Sequence, residues 1–359
     1  MLEQFKVKKE ESVIVREAPL RDTVTSIFEK MKVSRADAEL AADVLVMADL
    51  RGVDSHGVSN MLRSYVDGYN DGRLNPNPNV RIVRETLAAA TIDADGGLGI
   101  ITAPKAMEVA IRKAKETGIG VVSVANGKHL GMASYHAMMA LEHDMIGTCM
   151  TSAGAQVLPT FGAEPRLGTN PIAIVAPAKE EPPFVYDVAT SVVAANKLGL
   201  ARRMGVPLPG GFISDEEGTP IMEPTMLPEK YYLLPWGSNR EMGSHKGYGL
   251  ACVVEIFTSI LSGFGYAIAA RGRNQHFLAA YSIEAFTPVD EFKSAMDEFL
   301  RALKDTPPAP GHEKVIVPGE PEWEIEQERR ANGIPLHKEV IEWFKGICGE
   351  LSIPYQLEG

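Results

Sequence analysis

Apolar residues recur at helical spacing from Val24 to Met31, inside a stretch, 20–49, that reads as helix throughout. Ser34, with Asp37 three residues on, marks a helix start within it. After a polar break another amphipathic helix is expected from Val58 to about Asp71, and the Pro-Asn repeat at 75–79 then forces extended chain. From about residue 80 the texture changes. Short β-branched runs (Val80 to Val83, Gly120 to Val124, Asn170 to Val175, Phe184 to Val188) alternate with helical stretches at 103–117 and 132–143, the alternation of an α/β unit. Proline and glycine recur between 201 and 243, which reads as irregular surface chain of the kind that borders sites. The apolar run 247–270 reads as a buried helix of about four turns, because Glu255 and several glycines argue against a membrane span. A Pro-rich stretch at 303–321 precedes a segment from Glu322 to Leu351 that is again helical, with a break at Gly333 to Pro335. Its pattern matches the N-terminal helices, so the two chain ends are expected to pack together. The expected division is an N-terminal helical region over 1–78, an α/β domain over 79–321, and C-terminal helices over 322–359 that pack with the first region.

The chain has 359 residues, enough for about two lobes with a substantial core. Hydrophobic residues make up 45% and charged residues 23%, the balance of a folded globular protein. A formal net charge of −11 opposes general attraction to nucleic acid or anionic membrane. Three widely spaced cysteines, Cys149, Cys252 and Cys348, form neither a disulfide framework nor a zinc motif. Together with a charged N-terminus lacking an apolar signal segment, they lead to the expectation of a reducing, cytoplasmic setting.

Chemistry is concentrated in three places. The first is Asp54-Ser55-His56-Gly57, between two helices. A histidine at such a junction can be held by the backbone yet stay open to a ligand, with an ordinary pKa of ~6.5 suited to proton transfer. The bland alternative is a serine cap and a turn glycine beside an incidental histidine. The second is Lys128-His129 after the strand Gly120 to Ala125, where α/β enzymes often place catalytic groups. The third, Gly243-Ser244-His245-Lys246-Gly247, opens a helix and offers backbone donors with a cation to an anion. His136 and His143 fall seven apart and are expected to share a helix face without catalytic work. Gly97-Leu98-Gly99 imitates part of a dinucleotide fingerprint, but Pro104 interrupts the turn and no acidic residue follows at the proper distance. No Walker loop, H-E-x-x-H pair or two-cysteine cluster is present, and no metal ligand set is assigned.

Five ordered segments, Arg51 to Gly57, Lys128 to Gly131, Gly168-Thr169-Asn170-Pro171, Asp187 to Ser191 and His245 to Leu250, together resemble the type-2 malate/L-lactate dehydrogenase family. That family also contains ureidoglycolate and sulfolactate oxidoreductases. The resemblance implies a non-Rossmann nicotinamide-binding lobe with a mixed sheet flanked by helices, plus a helical lobe built from both chain ends. It implies interconversion of a 2-hydroxy acid and a 2-oxo acid, NAD (or NADP) as cofactor, and a homodimer. Cofactor contacts carried over by resemblance are Ser152, Asp187, Val188, Ala189, Thr190, Ser191, His245, Lys246, Gly319 and Glu320. His56 is expected to exchange the proton and His129 to orient the substrate, with Asp54 and Ser55 fixing the His56 ring. Many relatives carry an arginine four residues after that histidine, where this chain has Asn60. Arg63 is expected to take over the substrate carboxylate, since a guanidinium suits bidentate recognition. The rival readings are a metal-assisted hydrolase or lyase using His56, His129 and Asp54, and a cofactor-binding protein without turnover.

Overall fold

The computed structural model describes residues 6–357 apart from 267, 270 and 271. In chain order the elements are β1 (Ser12–Val15), α1 (Glu17–Lys30), α2 (Arg35–Leu50), α3 (Val58–Asn70), β2 (Arg81–Glu85), β3 (Ala89–Asp93), α4 (Gly99–Thr117) and β4 (Ile119–Gly127). The middle of the chain supplies α5 (Ala133–Met138), β5 (Met145–Thr151), β6 (Ile172–Ala176), β7 (Phe184–Val188), α6 (Ala195–Met204), β8 (Ile213–Ser214) and β9 (Tyr232–Leu233). Then follow α7 (Ser244–Glu255), which runs on as a π-helical turn over Ile256–Ile260, and β10 (Asn274–Ser282), α8 (Val289–Lys304), α9 (Glu320–Asn332), β11 (Ile334–His337) and α10 (Lys338–Leu351).

Seven strands form one sheet in the order β2-β3-β4-β10-β5-β6-β7. Only β3 and β4 run parallel within it; the other neighbours are antiparallel, so the sheet is mixed and its faces are covered by helices such as α4 and α5. The centre of the sheet belongs to β10, which the sequence pattern did not announce. Its segment Gln275 to Ala280 is buried on both faces, so it lacks the in-out alternation that marks a half-exposed strand. At the chain ends β1 pairs with β11, Ser12 opposite His337, and one apolar core joins Leu20, Phe28, Leu45 and Leu62 to Ile341 and Phe344 of α10.

The Ser34 cap forms as expected, its hydroxyl accepting the Asp37 N–H at 3.3 Å. Four expectations are corrected. Pro104 lies inside α4, which starts at Gly99, so it interrupts no turn. The stretch 132–143 is helical only to Met138, and a separate 3₁₀ turn over Leu141–His143 follows; His136 is wholly buried while His143 is exposed, so the two share no face. Residues 201–204 close α6, and β8 and β9 add a small hairpin to the stretch read as irregular. The run 247–270 is helical from 247 to 260, as α7 and the π turn, which is about the expected four turns, but it is not buried, with Ile256, Ile260 and Leu261 each more than half exposed; positions 267 and 270 of that run lie outside the described residues. No helix among the described residues is long and apolar enough to cross a membrane.

Candidate active site

The loop between α2 and α3 carries His56, and a helix from the far end of the chain holds it. Asp49, in the last turn of α2, is buried, and its carboxylate accepts the Val58 N–H at 2.8 Å, capping α3 from across the loop. A Cβ on Gly57 would lie 2.0 Å from Asp49 Oδ1, so only glycine admits this carboxylate. Burial pushes the Asp49 carboxyl well up, and nearby Asp54 adds to that; the Val58 bond and Arg329 pull the other way. From α9, Arg329 donates to Asp54 at 2.6 Å and to the Asp49 carbonyl, while Glu326 receives Arg51 at 2.7 Å. Asp54 therefore faces Arg329 and not the imidazole, contrary to expectation. The group beside the ring is Ser55, whose Oγ lies 2.9 Å from His56 Nδ1.

His129, just past the end of β4, stacks on His56 with ring centroids 5.6 Å apart and planes 10° from parallel. Its Nδ1 accepts from the Tyr65 hydroxyl at 2.6 Å and from the Gly131 N–H at 3.3 Å, so the neutral ring carries its proton on Nε2. Burial holds both rings neutral, and neighbouring charge adds to it for His56 alone. His56 is pushed down to about 3 by burial, His129 and Lys197, and His129 to about 4 by burial. A neutral imidazole is the form that accepts a proton.

His56 lines a cleft of about 730 Å³, within the range of small-molecule and cofactor sites. Ser55 and Arg51 line it on the same side; Gly131 to Ser134, the segment Val185 to Ala189, Ser191 to Ala194, Lys197, Trp236 and the loop Ile316 to Gly319 complete the wall. Asp187 accepts the Ser134 N–H at 2.7 Å, and burial raises its carboxyl above the usual range. Gly319, at φ +91°, lies so close to β7 that a Cβ would come within 2.8 Å of Val185, which brings the 316–321 loop over that strand.

Of the sequence-derived site residues, the structure thus brings Ser55, His56, Asp187, Val188, Ala189, Ser191 and Gly319 to one cleft, with His129 stacked on His56. Thr190 sits among them, but its hydroxyl turns to the Thr169 carbonyl at 3.0 Å. Ser152 is buried against Gln275, 3.1 Å from its side-chain oxygen, and does not line the cleft. His245 and Lys246 do not line it either; they begin α7, whose Gly247 packs directly on Trp236 of the cleft wall. Glu320 pairs with Lys314 at 3.1 Å. Arg63 is not brought to the cleft. It lies on the outer side of α3, 5.5 Å over the Trp343 ring and 4.0 Å from Glu339.

Sequence reading passed over Lys197, Glu322 and Trp236, which line the cleft, and Arg329 and Asp49, which hold its loop. Only two of these left a trace: an aspartate at the end of an apolar helix and a lysine in the first turn of another. Among the described residues no group of three or more His, Cys, Asp or Glu side chains is placed to hold a metal ion.

With this geometry in view, comparison with known proteins defines the class. The family model described as malate/L-lactate dehydrogenase matches residues 15–345. The chain is 40% identical over 341 residues to a malate dehydrogenase of Pyrococcus abyssi, covering 92% of each. It is 36% identical over 338 residues to an L-sulfolactate dehydrogenase of Methanocaldococcus jannaschii, covering 92% of this chain and 95% of that one. The crystal structure of malate dehydrogenase from Entamoeba histolytica superposes with a TM-score of 0.91 at 34% identity, over 96% of this chain and 99% of that one. The chain belongs to the malate/L-lactate dehydrogenase family. It is an oxidoreductase that interconverts 2-hydroxy and 2-oxo acids with a nicotinamide cofactor.

Proposed function

We propose that the protein reduces a 2-oxo acid of the malate or lactate type with NADH, and oxidises the matching hydroxy acid, with His56 as the group that moves the proton. The observation that carries this reading is the His56 ring: it lines the cleft, is held neutral, has Nδ1 engaged by Ser55 and leaves Nε2 for the substrate. Asp187, Val188, Ala189 and Ser191 on one wall and the Gly319 loop on the other would hold the nicotinamide half of NAD, whose carboxamide needs such polar backbone. A nicotinamide held there would supply the hydride to C2 of the oxo acid, or take it up from the hydroxy acid. In oxidation His56 Nε2 takes the proton from the C2 hydroxyl, and in reduction it returns that proton to the oxygen. His129, stacked on His56 with its own Nδ1 occupied, keeps that ring in place. That one pair of neighbours, β3 with β4, runs parallel in an otherwise antiparallel seven-stranded sheet supports a nicotinamide lobe of non-Rossmann type. The test follows oxidation of NADH and NADPH separately against oxaloacetate, pyruvate and 3-sulfopyruvate. Turnover with at least one acid and a preference for NADH is expected; no turnover with any 2-oxo acid would sink the reading.

The same reading includes a homodimer. Val253, Ile256, Phe257, Ile260 and Leu261, spaced three and four apart, leave one apolar face of α7 and the π turn open to solvent, 39% to 57% exposed. A twofold pair covers such a face with its own copy. Sedimentation equilibrium is expected to give a dimer and Ile256→Asp a monomer; a monomeric wild type at micromolar concentration would refute it.

A further inference from the structure

We propose that Lys197 is the cation that receives the C1 carboxylate of the substrate. This inference rests on the 2-oxo acid reading above and adds the residue that recognises the acid.

A carboxylate entering a partly dry cleft needs a positive partner or several donors, because its desolvation is otherwise uncompensated. Asn60 stands where the chain could offer a side chain from α3, but both hydrogens of its amide are spent, on the carbonyls of Ser55 at 3.1 Å and Asn196 at 3.3 Å. What remains is an amide oxygen, which accepts and so repels a carboxylate. Arg63 points outward over Trp343. Two cationic side chains line the cleft among the described residues, Arg51 and Lys197. Arg51 is committed to Glu326 at 2.7 Å, with both side chains nearly buried.

Lys197 has no ion pair and no hydrogen bond through its ammonium among the described residues. Asp187 and Glu322, which line the same cleft, act on it only through space. It sits in the first turn of α6, where the helix dipole disfavours a cation, and that turn contains no acidic residue and no side-chain cap. Burial lowers its pKa, and its charge in turn depresses the neighbouring His56. A partly desolvated ammonium set against the helix dipole is stabilised when a carboxylate joins it. Its neighbour Asn196 is tied through Asn60 to Ser55, so the ammonium and the proton-transfer histidine are held by one short chain of bonds. That arrangement places the C1 carboxylate on Lys197 with C2 and its oxygen toward His56.

The test uses the full-length enzyme with whichever of pyruvate or oxaloacetate it reduces faster, and the C1 methyl ester of that acid. Lys197→Met and the more conservative Lys197→Gln are expected to raise KM for the acid about 10- to 100-fold, the size of a charge-assisted bond lost. The preference for acid over ester should fall by the same factor, Lys197→Arg should recover part of it, and the Kd for NADH from fluorescence titration should stay within about twofold. Unchanged KM and acid preference in the Gln variant would overturn the proposal. So would a weakened NADH Kd with the acid preference intact, which would assign Lys197 to the cofactor phosphates. A wild type that reduces no 2-oxo acid would instead overturn the function itself.

Discussion

Replacing His56 with asparagine is expected to lower turnover by about 10²- to 10⁴-fold, the usual contribution of a positioned acid or base. Asparagine keeps a polar group beside Ser55 Oγ in a smaller side chain that fits the same space, so the fold should survive and the loss should fall on kcat. His129→Asn, which retains an acceptor for Tyr65 and Gly131, is expected to cost less, because that ring's Nδ1 is already engaged and the ring does not line the cleft. Stopped-flow measurement of NADH oxidation at saturating acid decides the matter. Near-normal turnover in His56→Asn together with loss in His129→Asn would exchange the two roles.

The same histidine sets a pH signature. An ordinary histidine base would be half protonated near pH ~6.5, and oxidation of the hydroxy acid would fall below that. In the folded protein His56 is depressed to about 3, so it stays neutral and basic as the pH is lowered through 6.5. The kcat/KM for oxidation should therefore hold from about pH 8 to about pH 5, its acid limb lying lower. The reverse reaction needs the proton on the ring, so kcat/KM for reduction should decline as pH rises across the same interval.

Arg329→Met is expected to destabilise the protein by about 3 to 5 kcal/mol, the cost of removing one partner from a buried ion pair. Arg329 is 8% exposed and its partner Asp54 also 8%. Without the guanidinium, Asp54 and the buried Asp49 face each other with no counter-charge, and the Asp49 carbonyl loses a donor. The Asp49 carboxyl, already raised by burial, then loses the Arg329 charge that pulls it down and rises further above the unfolded value. A group with a raised folded pKa stabilises below its unfolded pKa and loses that contribution as pH climbs through the folded one. The penalty should accordingly be larger at pH 8 than at pH 5. Urea unfolding at the two pH values tests this; a variant within 1 kcal/mol of wild type at pH 8 would show that the α9 clamp on the His56 loop carries no weight.

Much of the site was legible where chemistry is local. The Asp54 to Gly57 segment announced itself because an aspartate, a serine, a histidine and a glycine stood together between two helical stretches, although the N-cap of α3 is Gly57 and not Ser55. The Asp187 to Ser191 segment was carried by motif and sits in the cleft wall. Arg63 shows the limit. It stands three residues past Asn60, a step that turns a helix to within about 60° of the same face, yet its side chain is drawn aside to Trp343 and Glu339 of α10 and never reaches the cleft. Asp54 failed for a related reason: adjacency to His56 says nothing of which way a loop side chain points, and its real partner lies 275 residues away.

The sequence by itself determined the helical and strand segments with periodic patterns, the Asp54 to Gly57 and Asp187 to Ser191 segments that meet in the cleft, and the family, because each of these is written in residues close along the chain. Only the tertiary structure decided that β10 occupies the centre of the sheet, that α9 reaches back to clamp the His56 loop, that His129 stacks on His56, and that Lys197, not Arg63, lines the cleft as a cation without an ion pair among the described residues. These depend on contacts between distant segments and on burial, which set the direction of each side chain and the protonation of each imidazole, and neither leaves a periodic signal in the chain.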